Sequence, residues 1–141
     1  MPETRIPSPP IAVTSIILSM GLMAVGNGLM HAYIPLKLAR EGFEPWVAGA
    51  VLTIMSVGGL GGCLLTGPLV RRVGHARVFA LLAATVILSI LMITLGTALL
   101  PWMLSRAIYG FAVAGLFIVS QSWLNDACEN EWRGRIIAIF Y

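Results

Sequence analysis

Residues 67–77 read Gly-Pro-Leu-Val-Arg-Arg-Val-Gly-His-Ala-Arg and place three arginines and one histidine between two long apolar runs. Charge at this density is too costly to lie in hydrocarbon, so the stretch belongs in water or among lipid headgroups. Clusters of Lys and Arg beside membrane spans favour the cytoplasmic side. This stretch, named the basic hinge below, therefore predicts a cytoplasmic connection between two membrane-spanning helices.

The composition supports a membrane protein over a soluble domain. Hydrophobic residues make up 58% of the 141 residues and charged residues only 11%. Because one span needs about 20 apolar residues, the chain has room for four or five helices. The net charge of +3 lies mostly at the predicted membrane edges, which is typical of a topology signal and not of a nucleic-acid surface. The lipid bilayer is the first predicted partner, and no nucleic acid is expected.

The apolar runs divide the chain into a lead-in and a helical bundle. Residues 1–10 are polar and proline-rich and form a cytoplasmic lead-in. The bundle occupies residues 11–141, with predicted spans at about 11–36, 46–69, 78–95 and 102–124 and an incomplete one at 134–141. A run of eight residues cannot cross a bilayer. We therefore expect the chain to stop inside a fifth helix, as a fragment or a truncated gene product.

The distribution of basic residues predicts the orientation. With the basic hinge inside, six arginines lie on the inner side, Lys37 and Arg40 lie on the outer side, and Arg106 remains within a span. Aromatic residues are expected at both membrane edges: Tyr33, Trp46 and Trp102 at the outer one, Trp123 and Trp132 at the inner one. The sequence therefore predicts an integral multi-pass protein of the bacterial inner membrane with a cytoplasmic N-terminus.

Glycine spacing in the second span predicts a close helix contact. Gly58 and Gly62 form a GxxxG pair, which lets a neighbouring helix approach closely.

Motifs of catalysis and metal binding are missing from the sequence. Cys63 and Cys128 fall at different depths, so neither a disulfide nor a metal site is expected. The sequence holds no GxSxG, HExxH or P-loop pattern. We therefore expect no enzymatic activity, no metal and no cofactor.

The basic hinge resembles the cytoplasmic loop motif of the major facilitator superfamily, which follows the second helix and reads G-x-x-x-[DE]-[RK]-x-G-x-[RK]-[RK]. Four residues fit this motif: Gly67, Arg72, Gly74 and Arg77. Arg71 replaces the acidic residue, and Ala76 replaces one basic residue. In the fourth span, Arg106 and Gly110 resemble the family's R-x-x-x-G element.

The resemblance covers essentially the whole chain, but only about the first third of a twelve-helix family member. It implies an all-α membrane protein that comprises the first four helices, and the start of the fifth, of an amino-terminal six-helix bundle. Its function would be that of a secondary active, alternating-access carrier of a small solute, with or without proton coupling. The missing C-terminal half of the carrier would then be a partner.

The family role of the hinge implies a cytoplasmic gating loop, whose residues would be Gly67, Arg71, Arg72, Gly74, Arg77, Asp126 and Glu129. Gly67 and Gly74 are expected to permit a tight turn. Asp126 and Glu129 could pair with Arg72 or Arg77 and so compensate for the missing acidic residue. The alternative is that the hinge acts only as a topology signal.

Arg106 lies about five residues into the fourth predicted span and has two interpretations. Its long side chain could reach back to the outer interface, or it could face a water-filled cavity. Tyr109 and Gly110 follow at positions i+3 and i+4 and share its helix face. Asn27 and His31, four residues apart on the first helix, are expected at a similar depth. The candidate substrate or proton site is therefore Arg106, Asn27, His31, Tyr109 and Gly110, although Asn27 and His31 could equally connect helices by hydrogen bonds.

A small tetraspan scaffold without transport activity is the alternative function, because glycine-rich helix faces also suit docking of partner helices. The solute, the coupling ion and the direction of transport are not encoded in any motif found here.

Overall fold

A computed structural model describes residues 11–94 and 98–127. This part of the chain forms four long helices and confirms the all-α class: α1 (Ile11–Arg40), α2 (Pro45–Val73), α3 (His75–Thr94) and α4 (Leu99–Ala127). Several helices extend beyond the predicted apolar spans. Helix α2, for example, includes two arginines of the basic hinge in its last turn. The lead-in and the predicted fifth span lie outside the described residues.

The turn between α1 and α2 is closed by a glycine. Gly42 has a φ of 82°, a conformation that is accessible to glycine without steric penalty. Its N–H donates to the Ala39 oxygen at 3.2 Å, and the Phe43 N–H donates to the Leu38 oxygen at 3.1 Å, which is the Schellman pattern of a helix C-terminus. Pro45 then begins α2 at a position where its missing N–H is not needed. These features fix α1 and α2 as neighbours.

The connection between α2 and α3 is a single residue, Gly74. It has a φ of 90°, and its N–H donates to the Val70 oxygen at 2.9 Å. Helix α3 begins directly afterwards at His75. The expectation that Gly67 also belongs to the turn was wrong, because Gly67 lies inside α2, where the backbone continues as a regular helix for six more residues.

Helix α4 is the centre of the bundle, and α2 packs most extensively against it. A Cβ atom added to Gly58 would overlap the backbone oxygen of Ala107, and one added to Gly62 would overlap that of Phe111. Because both pairs advance by four residues, α2 and α4 run parallel with their backbones in direct contact. The close contact predicted from the GxxxG pair is confirmed.

Two apolar clusters hold the remaining helices around α4. The first joins all four helices and contains Ile34, Leu38, Val47, Val51, Ile93 and Trp102. The second joins α3 and α4 and contains Val78, Leu82, Ala112, Leu116 and Val119. Trp102 is only 2% exposed, so it packs inside the bundle and does not face the headgroups as predicted for an aromatic belt. Its large ring fills the space where the four helices meet.

Polar contacts also join α3 to α4. The Ser105 hydroxyl donates to the backbone oxygen of Ser89 at 2.5 Å, and both side chains are fully buried. A Cβ atom added to Gly115 would lie 2.7 Å from the Thr66 hydroxyl and 2.8 Å from a methyl group of Leu82. Small residues therefore allow α2 and α3 to approach α4 from two sides.

All four helices are long and apolar enough to cross a membrane. Their outward faces carry many exposed leucines, among them Leu22, Leu64 and Leu100. Such faces suit a lipid environment, where apolar side chains meet hydrocarbon instead of water. The described chain is therefore a multi-pass membrane bundle.

Replacement of Gly62 by alanine tests the contact between α2 and α4. The added methyl group must push the two backbones apart, and overpacking of this kind costs about 1–3 kcal/mol. Gly49→Ala, in the same helix, is the matched control, because its new methyl group meets no atom of another helix within 4 Å and alanine is the better helix former. We expect thermal unfolding in detergent to show a lower melting temperature for Gly62→Ala and an unchanged or higher one for Gly49→Ala. Equal melting temperatures would contradict the backbone contact.

Candidate functional site

Arg106 is buried between the helices and is only 2% exposed. Its guanidinium carbon lies 4.4 Å from the ring centroid of Tyr109, one turn further along α4. This distance is typical of a cation–π contact. The side chain therefore turns towards the middle of α4, and the alternative in which it reaches back to the outer interface does not fit the structure.

Tyr109 connects Arg106 to the first helix. Its ring lies under the guanidinium group, and its hydroxyl donates to Asn27 Oδ1 at 3.0 Å. The hydrogen bond joins α4 to α1 across a long sequence separation. Arg106, Tyr109 and Asn27 thus form one continuous set of contacts inside an apolar bundle, named the polar chain below.

A small cavity of about 10 Å³ lies beside this polar chain. Residues of three helices line it: Met30, His31 and Ile34 of α1, Leu52 and Met55 of α2, and Arg106 and Tyr109 of α4. A cavity of roughly this volume has room for about one water molecule. The His31 side chain is otherwise exposed, so it stands at the rim of the site. Four of the five predicted site residues therefore lie near one another: the three of the polar chain, and His31.

Gly110, the fifth predicted site residue, has a packing position instead. A Cβ atom added to it would overlap the backbone oxygen of Met55 on α2. Sharing a helix face with Arg106 does not bring it into the cavity, because its face is covered by the α2 backbone. The expected role of Gly110 in solute contact is corrected to one in the α2–α4 contact.

The guanidinium group of Arg106 has unused hydrogen-bonding capacity. Within the described part of the chain, its Nε and Nη2 atoms are buried and have no hydrogen-bond partner. A buried charge is stable only when it is paired or hydrogen-bonded. The contact with the Tyr109 ring compensates for part of this requirement, but the ring provides no acceptor for the two N–H groups.

The acidic residues of the sequence lie away from Arg106. The chain has six of them, at positions 3, 41, 44, 126, 129 and 131. Glu41 and Glu44 lie at the turn between α1 and α2, and the Glu44 carboxylate accepts a hydrogen bond from the Trp46 indole at 2.8 Å. Asp126 lies in the last turn of α4, between about five and six helical turns from Arg106. The arginine therefore has no carboxylate neighbour within the described helices.

The basic hinge is held against the end of α4 by His75. Its Nε2 atom lies 3.0 Å from the Ser122 hydroxyl, and its ring stacks on Trp123 with centroids 6.4 Å apart. Phe79 meets the same tryptophan ring edge to face. This packing, at the N-terminus of α3, fixes where the exposed arginines of the hinge are displayed.

The described residues of the predicted gating loop divide into two groups. Arg71, Arg72 and Arg77 have exposed side chains, which leaves them accessible for ionic contacts. The side chain of Asp126 and the whole of Glu129 lie outside the described residues. The predicted ionic cluster between these acids and the hinge arginines therefore stays a prediction.

Sequence reasoning missed two contacts that depend on tertiary packing. His75 was recognised only as part of the basic hinge, since no sequence spacing links it to Ser122. Lys37 was assigned only to the outer loop, yet its ammonium group lies 5.2 Å from the ring centroid of the buried Trp102. A lysine near the end of an apolar helix gives no signal for its aromatic partner on a distant helix.

Four long apolar helices around a buried arginine define an integral multi-pass membrane protein. The family model described as Major Facilitator Superfamily matches residues 4–141, and the chain belongs to that superfamily. The family resemblance seen in the basic hinge and in the fourth helix is thereby confirmed.

The chain is similar to bacterial proteins named for this superfamily. One is "Uncharacterized MFS-type transporter YcaD" from Escherichia fergusonii, 29% identical over 119 residues, which cover 84% of this chain and 31% of the relative. Another is "Uncharacterized MFS-type transporter Ent638_1421" from an Enterobacter species, with the same identity and coverage. The YcaD protein of Escherichia coli O45:K1 is 27% identical with equal coverage. The chain thus spans about a third of the length of these curated relatives, and no solved structure matches it significantly.

A double-mutant cycle tests the hydrogen bond between α1 and α4. Tyr109→Phe removes the hydroxyl but keeps the ring under Arg106, and Asn27→Ala removes the acceptor. Polar contacts between membrane helices have coupling free energies of about 0.6 kcal/mol on average. We expect a coupling of this size in the unfolding free energies of Tyr109→Phe, Asn27→Ala and the double variant. Tyr33→Phe, the same change at a half-exposed residue of α1, should show no coupling to Asn27; equal results for the two tyrosines would exclude the contact.

Proposed function

We propose that this chain is part of a secondary active transporter that carries a small solute by alternating access, in a protein that includes further helices. The observation that carries the proposal is the buried Arg106, which lines a cavity between α1, α2 and α4 and has two N–H donors without a partner among the described residues. Charged residues inside membrane helices typically belong to solute or ion pathways. Membership of the superfamily and the names of the relatives support the same function.

In this function, α1 is the helix that covers the arginine. It contacts α2 and α4 much less than these two helices contact each other. Movement of α1 would open the small cavity and expose Arg106, while the α2–α4 contact stays closed. Binding of solute would then stabilise one arrangement of the helices over the other, as alternating access requires.

The polar residues near Arg106 would have separate roles. Arg106 binds and orients the solute through its planar group, and Tyr109 holds that group in place. Asn27 holds α1 over the site until the solute enters. Histidine is a common proton carrier in proteins, so His31, at the cavity rim, is the candidate for proton coupling if the carrier is proton-driven.

The orientation predicted from charge belongs to the same proposal. The exposed arginines of the basic hinge would lie on the cytoplasmic side of a bacterial inner membrane, with the N-terminus also inside. There they would act as the gating loop and form ionic contacts in one state of the carrier.

Alternating access can be tested without knowing the solute. In a background of Cys63→Ser and Cys128→Ser, a single cysteine in place of His31 is treated with a membrane-impermeant thiol reagent, first from outside whole cells and then on inside-out vesicles. A carrier exposes this position to both sides in turn, so labelling is expected in both preparations. A second variant, with Cys128→Ser alone, keeps Cys63 on the exposed apolar face of α2 and is the control that should react in neither. Labelling of position 31 from one side only would instead favour a scaffold without transport.

Substitution of Arg106 by lysine separates charge from geometry. Lysine keeps the cation but lacks the planar fork of N–H groups, so it cannot reproduce oriented contacts with a solute. In the complete carrier, we expect Arg106→Lys to reach normal membrane abundance but to lower transport by about tenfold or more, which corresponds to about 1.4 kcal/mol. Uptake into proteoliposomes, measured with labelled glucose, alanine, succinate and ethidium and normalised to protein, provides the comparison. Arg40→Lys, an exposed arginine at the end of α1, is the matched control. Unchanged transport by Arg106→Lys would remove Arg106 from the solute site.

Single-cysteine labelling also tests the orientation. In a background of Cys63→Ser and Cys128→Ser, Ala76→Cys places an exposed thiol in the basic hinge, and Glu41→Cys places one in the turn between α1 and α2. We expect an impermeant reagent to label position 41 in intact cells, and position 76 only after permeabilisation, because the positive cluster stays inside. The reverse pattern would invert the proposed topology.

A further inference from the structure

The two unpaired donors of Arg106 lie on one edge of its guanidinium group. The Nε–H and one Nη2–H bond point in nearly the same direction, and together they match the two oxygens of a carboxylate or phosphate. Both nitrogens are buried and without a hydrogen-bond partner within the described part of the chain. The free edge therefore has the geometry of an oxyanion site, and no group of the four described helices occupies it.

The charge of the surroundings points to the same ligand. The cavity beside Arg106 is lined by methionine, isoleucine and leucine side chains together with His31 and Tyr109, and no acidic residue is among them. The Tyr109 ring attracts the cation through its π face but cannot neutralise it. An unbalanced positive charge in a membrane-embedded site is stabilised most by an anionic ligand.

From these contacts we infer that the transported solute carries a carboxylate or phosphate group, which binds the Nε–Nη2 edge of Arg106. This inference rests on the proposed transport function and assigns its substrate class.

The structure also shows what must move for such a solute to bind. The cavity of about 10 Å³ is too small for a carboxylate group, because it has room for about one water molecule. Met30, His31 and Ile34 of α1 form one wall of it. The hydrogen bond from Tyr109 to Asn27 holds that wall against α4. Entry of the anion therefore requires α1 to move away from α4, which makes this hydrogen bond a latch on the site.

Binding is tested on the purified full chain in lipid nanodiscs by thermal unfolding with paired probes. Benzoate, succinate and inorganic phosphate supply the anionic group, while benzamide and succinamide are the neutral counterparts. We expect a saturable rise in melting temperature with at least one anionic probe and none with the amides. Arg106→Leu should abolish the rise, and Arg106→Lys should weaken the apparent affinity by about tenfold. Arg40→Leu, which removes an exposed arginine, should leave it unchanged.

A second variant tests whether the hydrogen bond from Tyr109 to Asn27, the latch, limits access to the site. Tyr109→Phe keeps the ring beside the guanidinium group but removes the bond to Asn27, so α1 opens more easily and the anionic probe should bind more tightly. A variant that merely destabilised the bundle would lower the starting melting temperature without raising the affinity. Tighter binding by Tyr109→Phe thus distinguishes the latch from general loss of structure.

Three results would overturn the inference: no response to any anionic probe, an equal response to the amides, or a response that persists in Arg106→Leu. The first result is also the one expected if a carboxylate of the protein itself, from outside the described residues, occupies the edge. Transport is tested separately by labelling of position 31. Two-sided labelling without anion binding keeps the carrier and rejects the substrate class, whereas anion binding with one-sided labelling keeps the site and rejects transport.

Discussion

Direct backbone contact between α2 and α4 is the constraint on which the rest of the bundle depends. Gly58 and Gly62 bring the backbone of α2 directly against the backbone of α4, and Gly110 extends this contact from the α4 side. With no hydrophobic driving force between helices in lipid, this close packing supplies much of the attraction. The contact fixes α4 in the centre and leaves its other faces to α3 and α1. Arg106 is buried because it lies on a face of this central helix.

Packing is tight among α2, α3 and α4 and loose around α1. Helices α2, α3 and α4 share glycine contacts, apolar clusters and a buried serine pair. Helix α1 is held mainly by the first apolar cluster, the Tyr109–Asn27 hydrogen bond and a contact of the Ser120 hydroxyl with the Met20 sulfur at 3.0 Å. Regions with few buried contacts open at the lowest free energy. A site placed between α1 and α4 therefore lies where the bundle opens most easily.

Much of this architecture could be predicted from the sequence, and the limits have physical causes. Apolar run length and the basic hinge predicted four spans, and the Gly58–Gly62 spacing predicted a close contact, because these signals are local. Burial of Trp102 and the backbone position of Gly110 could not be predicted, since each depends on which helix lies opposite. Arg106 and Asn27 were singled out as polar residues in apolar runs, but their link through the Tyr109 hydroxyl required the relative rotation of two helices. The role of Gly67 was misassigned because a glycine near a charged cluster gives no indication of whether the helix has ended.

The single-residue connection at Gly74 has a mechanical consequence. Two helices joined by one residue have the ends beside that residue held about one helix diameter apart, while α2 and α3 contact α4 far more than each other. Both helices therefore leave Gly74 along the surface of α4, and Gly74 is the one residue between them. A displacement of the arginines beside Gly74 would move the ends of α2 and α3 together, because no flexible loop lies between the two helices to absorb it.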